Sequence, residues 1–206
     1  CFLNTGQSCN APTRMLVERS AYDRAVAIAA EVANATRVGE PDQAGRHIGP
    51  LASGVQFDKV QELIATAIRQ GARLVAGGPG RPEGFNRGYY VRPTVFADVD
   101  NHMTIAREEV FGPVLVMIPF DDEEQAIEIA NDTPYGLSSY VQSLDLDRAE
   151  RVARRLRAGM VQLNGANRAA ASPFGGFRQS GNGREGGHWG LEEYLEVKAI
   201  SGWRTD

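Results

Sequence analysis

Cys9 closes the run Phe2-Leu3-Asn4-Thr5-Gly6-Gln7-Ser8-Cys9, three residues past a glycine and among small polar side chains. A thiol in such a run has backbone N–H groups close at hand, and the thiolate rather than the thiol is the nucleophile. The chemistry on offer is attack on a carbonyl carbon, with the N–H of Cys9 itself placed to hold the oxyanion that forms. Asn4 and Gly6 would support the loop, Asn4 through contacts to the backbone. A lone cysteine also has a plainer reading, as a small buried hydrophobe. The three histidines, His47, His102 and His188, are far apart and show no ligand spacing, so no metal site is expected.

Two other polar groups bear on chemistry. Glu108-Glu109 stands just before an apolar run, where a solvated acidic pair is the simplest reading. Gln56 and Lys59, at i and i+3, share one helix face opposite Leu63 and Ile64, where an ordinary polar face is the simplest reading. The stretch Gly181-Asn182-Gly183-Arg184-Glu185-Gly186 spells a dinucleotide-binding glycine pattern, but its context is wrong. No apolar strand precedes it, and the 20 residues after it are too few to complete a βαβ unit with its ribose-binding acid. A flexible loop is the expectation there.

The elements that must position these groups follow from periodicity. Arg14 to Val17 reads as a short buried strand. Ser20 is expected to cap a helix with Asp23 at its third position and a stripe of Ala25, Ile28, Ala29 and Val32. Ser53 caps a second helix with Val60, Leu63, Ile64, Ala67 and Ile68 inward, ended by Gly71. Arg73–Ala76 is a strand and residues 77–88 a glycine-rich surface loop. Residues 89–91 and 94–96 read as strands around Pro93, which suggests an edge or a break. Val114–Ile118 is almost wholly apolar, the signature of a strand buried on both faces in a mostly parallel sheet. Helices are expected over 122–131 and 145–158, strands over 138–142 and 160–163, a short helix starting at Leu191, and a last strand over Glu196–Trp203. This order predicts an α/β fold, a mostly parallel twisted sheet with helices on both faces. The expected domain organisation is 1–195 as one thiol-nucleophile domain and 196–206 as an oligomerisation strand or tail.

Composition sets the outer limits. The 206 residues are 42% apolar and 23% charged, ordinary for a soluble globular protein, with a net charge of −4 that argues against nucleic acid as a partner. No apolar run approaches the roughly 20 residues that span a bilayer. Cys1 and Cys9 are the only cysteines, so no disulfide framework is expected and a reducing cytoplasm is the default setting. The first residue falls inside a motif, and the chain reads as a piece of a longer protein.

Phe2, Asn4, Gly6, Gln7 and Cys9, spaced as Phe-x-Asn-x-Gly-Gln-x-Cys, resemble the nucleophile signature of the aldehyde dehydrogenase superfamily. Arg107-Glu108-Glu109-Val110-Phe111-Gly112-Pro113-Val114 is similar to a second signature of that family, and the likeness runs along essentially the whole chain. The resemblance implies an NAD(P)-dependent oxidation of an aldehyde to an acid through a thiohemiacetal and a thioester on Cys9. It gives Glu109 the nicotinamide ribose hydroxyls and Phe111 a place beside the nicotinamide ring. It offers Gln56 and Lys59 to the adenosine-side ribose, and lines the substrate pocket with Phe2, Ser8, Asn10 and Phe174. It makes the tail a subunit-pairing strand, hence a homodimer or homotetramer. In the family the cofactor domain, the general-base glutamate and a second oxyanion donor, an asparagine, precede the cysteine signature. The chain is therefore expected to be the C-terminal catalytic domain, inactive by itself.

Two other functions stay open on the residues. A cofactor-independent thiol hydrolase or acyltransferase would use Cys9 alone, though Glu109 and Phe111 would then have no ribose to meet. A non-catalytic assembly module would use only the tail strand.

Overall fold

A computed structural model describes residues 1–202 and 204. The chain divides into two compact units, Cys1–Pro134 and Tyr135–Asp206.

The first unit is built on a largely buried central strand. β4 (Val114–Phe120) is flanked on both sides by parallel partners, β1 (Arg14–Glu18) and β3 (Thr94–Ala97). β2 (Arg73–Ala76) adds to β3 antiparallel, giving the order β1-β4-β3-β2. Side chains alternate across a strand. Val114, Val116 and Ile118 accordingly enter one core with Phe96, and Met117 enters the other with Val95, Ala97 and Val17. α2 (Gly54–Arg69) and α3 (Thr104–Arg107) cover the first face, where Ile129 of α4 (Glu123–Asn131) also packs, while α1 (Arg19–Ala35) covers the second. The continuous apolar run of β4 is what a strand covered on both faces requires.

α2 carries its signals locally. The Ser53 hydroxyl accepts from the Gln56 N–H at 3.2 Å, an N-cap, and Val60, Leu63, Ile64 and Ala67 form the buried stripe. Ile68, expected in that stripe, is exposed. Asp122 caps α4 in the same way, accepting from Gln125 N at 2.9 Å.

α1 departs from expectation. It starts at Arg19, so Ser20 lies inside its first turn and its hydroxyl bonds the Glu18 carboxylate instead of capping. The buried residues are Tyr22, Val26 and Ala33, whereas Ile28 and Val32 are each 53% exposed. Tyr22 sets this rotation: its hydroxyl donates to Met117 O at 3.0 Å and accepts from Asp98 N at 2.7 Å, between two strands. A buried hydroxyl with two partners outweighs two aliphatic side chains that can stay in water. β1 is also less buried than its composition suggests, because it is an edge of the sheet; Val17 alone in it is buried. Residues 89–91 form no strand, and β3 begins directly after Pro93 as an interior strand. A proline at the entrance leaves the ladder intact.

The second unit pairs β5 (Ser138–Val141) with β6 (Met160–Leu163) in parallel, joined through α5 (Leu146–Arg155). Asp145 caps α5 by accepting from Arg148 N at 3.0 Å. α5 stops three residues earlier than expected, because Leu156 turns to extended backbone. α6 (Gly187–Glu192) begins before Leu191. The glycine run 181–186 follows a single 3-10 turn, Arg178–Ser180, rather than a strand, and Glu185 exchanges two 2.8 Å backbone bonds with Phe174. The strand expected over Glu196–Trp203 is absent from its described residues, 196–202; Trp203 lies outside the described residues.

No helix among the described residues is long and apolar enough to cross a membrane.

Candidate active site

Cys9 is exposed, a free thiol at the first corner of a turn closed by Ala11 N donating to Ser8 O at 3.0 Å. A corner position leaves the Cys9 N–H outside the turn's own hydrogen bond. Before it the backbone coils left-handed: Asn4 has φ 52 and ψ 32, Thr5 φ 58 and ψ 30, and Gly6 φ 70. Each non-glycine residue in this region costs about 1–2 kcal/mol, most for a β-branched one such as Thr5.

Side chains hold the coil. Gln7 N donates to Asn4 O at 3.0 Å and Asn4 Nδ2 donates to Gln7 O at 2.8 Å, closing the turn on itself. The buried Thr5 hydroxyl donates to Gly49 O at 3.1 Å. Gln7 reaches the same neighbouring segment twice, donating to Pro50 O at 3.3 Å and accepting from Ala52 N at 2.8 Å. That segment runs directly into the Ser53 cap of α2.

From α2 the ties continue to the second signature. Lys59 Nζ donates to Glu109 O at 2.7 Å, and Gln56 Nε2 donates to Val110 O at 2.8 Å and Phe111 O at 3.0 Å. Phe111 is left-handed at φ 53, and the Glu109 side chain is exposed. The two loops also meet directly. A Cβ on Gly6 would lie 2.0 Å from Gly112 O and 2.9 Å from Pro113 N, so only glycine allows the approach. The structure thus joins Cys9's loop, the start of α2 and the turn 109–113 in one hydrogen-bonded frame.

The remaining expected residues lie as follows. Ser8 is exposed beside Cys9 and Asn10 is partly buried at the turn's second corner. Phe2 packs partly against the α1-side core. Phe174 belongs to the second unit, partly buried, with the Arg168 guanidinium 5.9 Å from its ring centroid. Cys1 donates its thiol to Val114 O at 3.4 Å. Sequence reasoning did not single out Thr5, or the 49–52 segment it holds, because no local spacing signals a contact between residues 44 positions apart. Two open hollows, of about 390 Å³ around Glu40 and Tyr90 and about 510 Å³ around Phe85 and Arg92, do not include Cys9. Among the described residues no three His, Cys, Asp or Glu side chains form a set that could hold a metal ion.

An α/β scaffold thus lifts a thiol on a left-handed coil and braces it against a second loop with left-handed backbone. The chain belongs to the aldehyde dehydrogenase family, whose profile matches residues 1–200. It is 53% identical over 201 residues to 3-succinoylsemialdehyde-pyridine dehydrogenase of a Pseudomonas species, covering 98% of this chain and 42% of that protein. It resembles the crystal structure of an aldehyde dehydrogenase from Bartonella henselae, at 56% identity and a TM-score of 0.96, over 98% of this chain and 43% of the other. A Pseudomonas syringae aldehyde dehydrogenase variant solved with NAD+ and octanal matches at 51% identity and a TM-score of 0.96, over 100% of this chain and 42% of the other. The chain spans about 42% of the length of the curated relatives it matches.

Proposed function

We propose that this chain is the catalytic part of an NAD(P)-dependent aldehyde dehydrogenase, with Cys9 as the nucleophile. The observation that carries the reading is the direct contact of Gly6 with Gly112, which sets the thiol loop against the loop of Glu109 and Phe111. The thiolate of Cys9 adds to the aldehyde carbon, and the Cys9 N–H donates to the oxygen that becomes anionic. A bound nicotinamide dinucleotide supplies the hydride acceptor. Once the hydride has left, Cys9 carries a thioester, and water releases the acid and returns the thiol. In this reading the base that activates this water and a second oxyanion donor belong to the part of the whole protein outside this chain, which spans 42% of the length of the Pseudomonas relative.

The residues present fit such a cofactor. Glu109 offers an exposed carboxylate, suited to two ribose hydroxyls, on backbone fixed by Lys59. In this reading Phe111 sets its ring beside the nicotinamide, while Lys59 stands on the facing turn of α2 for the adenosine-side ribose. Ser8 and Asn10 flank the thiol in the chain, and Phe2 is the pocket aromatic of the first unit in this reading. The tail from 196 pairs subunits, in keeping with the exposure of Val197 and Ile200.

The test is an assay of the full-length protein with NAD+ and NADP+ over a panel of aldehydes, beside the 206-residue chain alone. Cofactor-dependent oxidation by the full-length protein, lost in the Cys9→Ala variant, with no turnover by the short chain, is the expected result. Ester hydrolysis indifferent to cofactor, without aldehyde oxidation, would make it a thiol hydrolase instead.

A further inference from the structure

Phe111 is a bulky residue in left-handed backbone, φ 53, a conformation that persists only when its surroundings over-determine it. What determines it is visible. In extended chain successive carbonyls point to opposite sides, so no single donor reaches both. Around Phe111 they converge: the carbonyls of Val110 and Phe111 lie 2.8 and 3.0 Å from one atom, Gln56 Nε2. Those two carbonyls belong to the peptide planes on either side of the Phe111 Cα, and their relative rotation is φ and ψ of that residue. One side-chain amide therefore grips both planes. Its own position is fixed by the Ser53 cap on Gln56 N, and Lys59, one turn on, holds the preceding carbonyl of Glu109.

We propose that Gln56 is a positioning residue for Phe111: its amide locks the peptide planes on both sides of Phe111 into the left-handed arrangement and so aims the ring. Both of its N–H groups are spent on the protein, and it acts on the cofactor through Phe111 rather than as a binding contact of its own. The inference rests on the reading of Glu109 and Phe111 as the nicotinamide side of the site.

Two variants of the full-length protein test it. Gln56→Met keeps the length and removes both donors, and Gln56→Glu replaces the donors with an acceptor facing two carbonyls. Hydrogen exchange is followed by mass spectrometry without cofactor. The peptide over 107–113 should exchange about tenfold faster or more in both variants, the loss expected of two neutral hydrogen bonds, while the β4 peptide over 114–120 stays unchanged. In steady state kcat should fall. Unchanged exchange over 107–113, with a raised cofactor KM and an unaltered kcat, would make Gln56 a direct cofactor contact and end the proposal. If β4 also loosens, denaturant melts decide: Gln56→Met must cost less stability when Phe111 is already Gly, which needs no support at positive φ, and an equal cost overturns the idea. A wild-type protein that oxidises no aldehyde would sink the proposed function, yet the exchange result would still show whether Gln56 holds Phe111.

Discussion

The carbonyl oxygen of Gly112 occupies the place where a side chain on Gly6 would begin, 2.0 Å from an ideal Cβ. Residues more than a hundred positions apart thus touch backbone to backbone, and the two signatures of the chain become one structure at that point. Gly6 answers two demands at once, the close approach and a φ of 70.

Gly6→Ala should therefore be severe. Left-handed strain of about 1–2 kcal/mol adds to overpacking of about 1–3 kcal/mol, read as a shift in the urea midpoint. Gly71→Ala is the control: φ there is 92 but nothing lies within 4 Å of the added Cβ, so only the conformational part, about 1 kcal/mol, should appear. Equal losses at the two positions would mean that the Gly6–Gly112 approach does not constrain the loop.

How much of this was legible beforehand depends on the range of the cause. The Ser53 cap, the stripe of α2 and the doubly buried β4 are written in residues a few positions apart, and reading them in order finds them. Ile28 and Val32 misled because apolar spacing names a stripe without saying which stripe the sheet takes, and Tyr22 decided that through contacts 76 and 95 residues away. Gln56 and Lys59 could be placed on one face of α2, but the carbonyls that face meets lie 50 to 55 residues on. The tail read as a strand from its composition alone, although a strand also needs a partner.

The two thiols should separate under alkylation. Cys9 is exposed, whereas Cys1 is partly buried and donates to Val114 O. Limiting iodoacetamide on the folded chain should label Cys9 first, as read by peptide mass spectrometry. Cys9→Ala should leave stability within about 0.5 kcal/mol, since the position is a surface corner, and lower aldehyde oxidation by the full-length protein on the order of a thousandfold or more. Labelling of Cys1 ahead of Cys9 would contradict the exposure that the reading needs.

Alkaline pH should weaken the fold through Tyr90. Its hydroxyl donates to the Glu40 carboxylate, and that bond, helped by burial, pushes Tyr90 from 10.0 up to about 12. The folded state thus keeps a proton that the unfolded chain gives up, so this stability is complete below pH 10 and is lost as pH rises through about 12. Tyr90→Phe should be less stable at neutral pH, and the gap to wild type should narrow across that window. A gap that stays constant would mean that the proton is not held by Glu40.

The thiol loop should also come loose from the side of α2. Thr5 and Gln7 both anchor it to residues 49–52, Thr5 through Gly49 O, Gln7 through Pro50 O and Ala52 N. Thr5→Val keeps the shape and drops one bond to a carbonyl, costing about 1 kcal/mol, and Gln7→Met strands an amide and a carbonyl, costing about 1–3 kcal/mol. Because both hold the same four residues, the double variant should lose measurably less or more than the sum, a coupling of at least about 0.5 kcal/mol in denaturant melts. The same loosening should reach Ser53, so exchange at the first turn of α2 should quicken in Gln7→Met while the strands stay protected. Strict additivity with an unmoved α2 would mean that the thiol loop and the helix are separate structures, leaving the Gly6–Gly112 contact as the link between the two signatures.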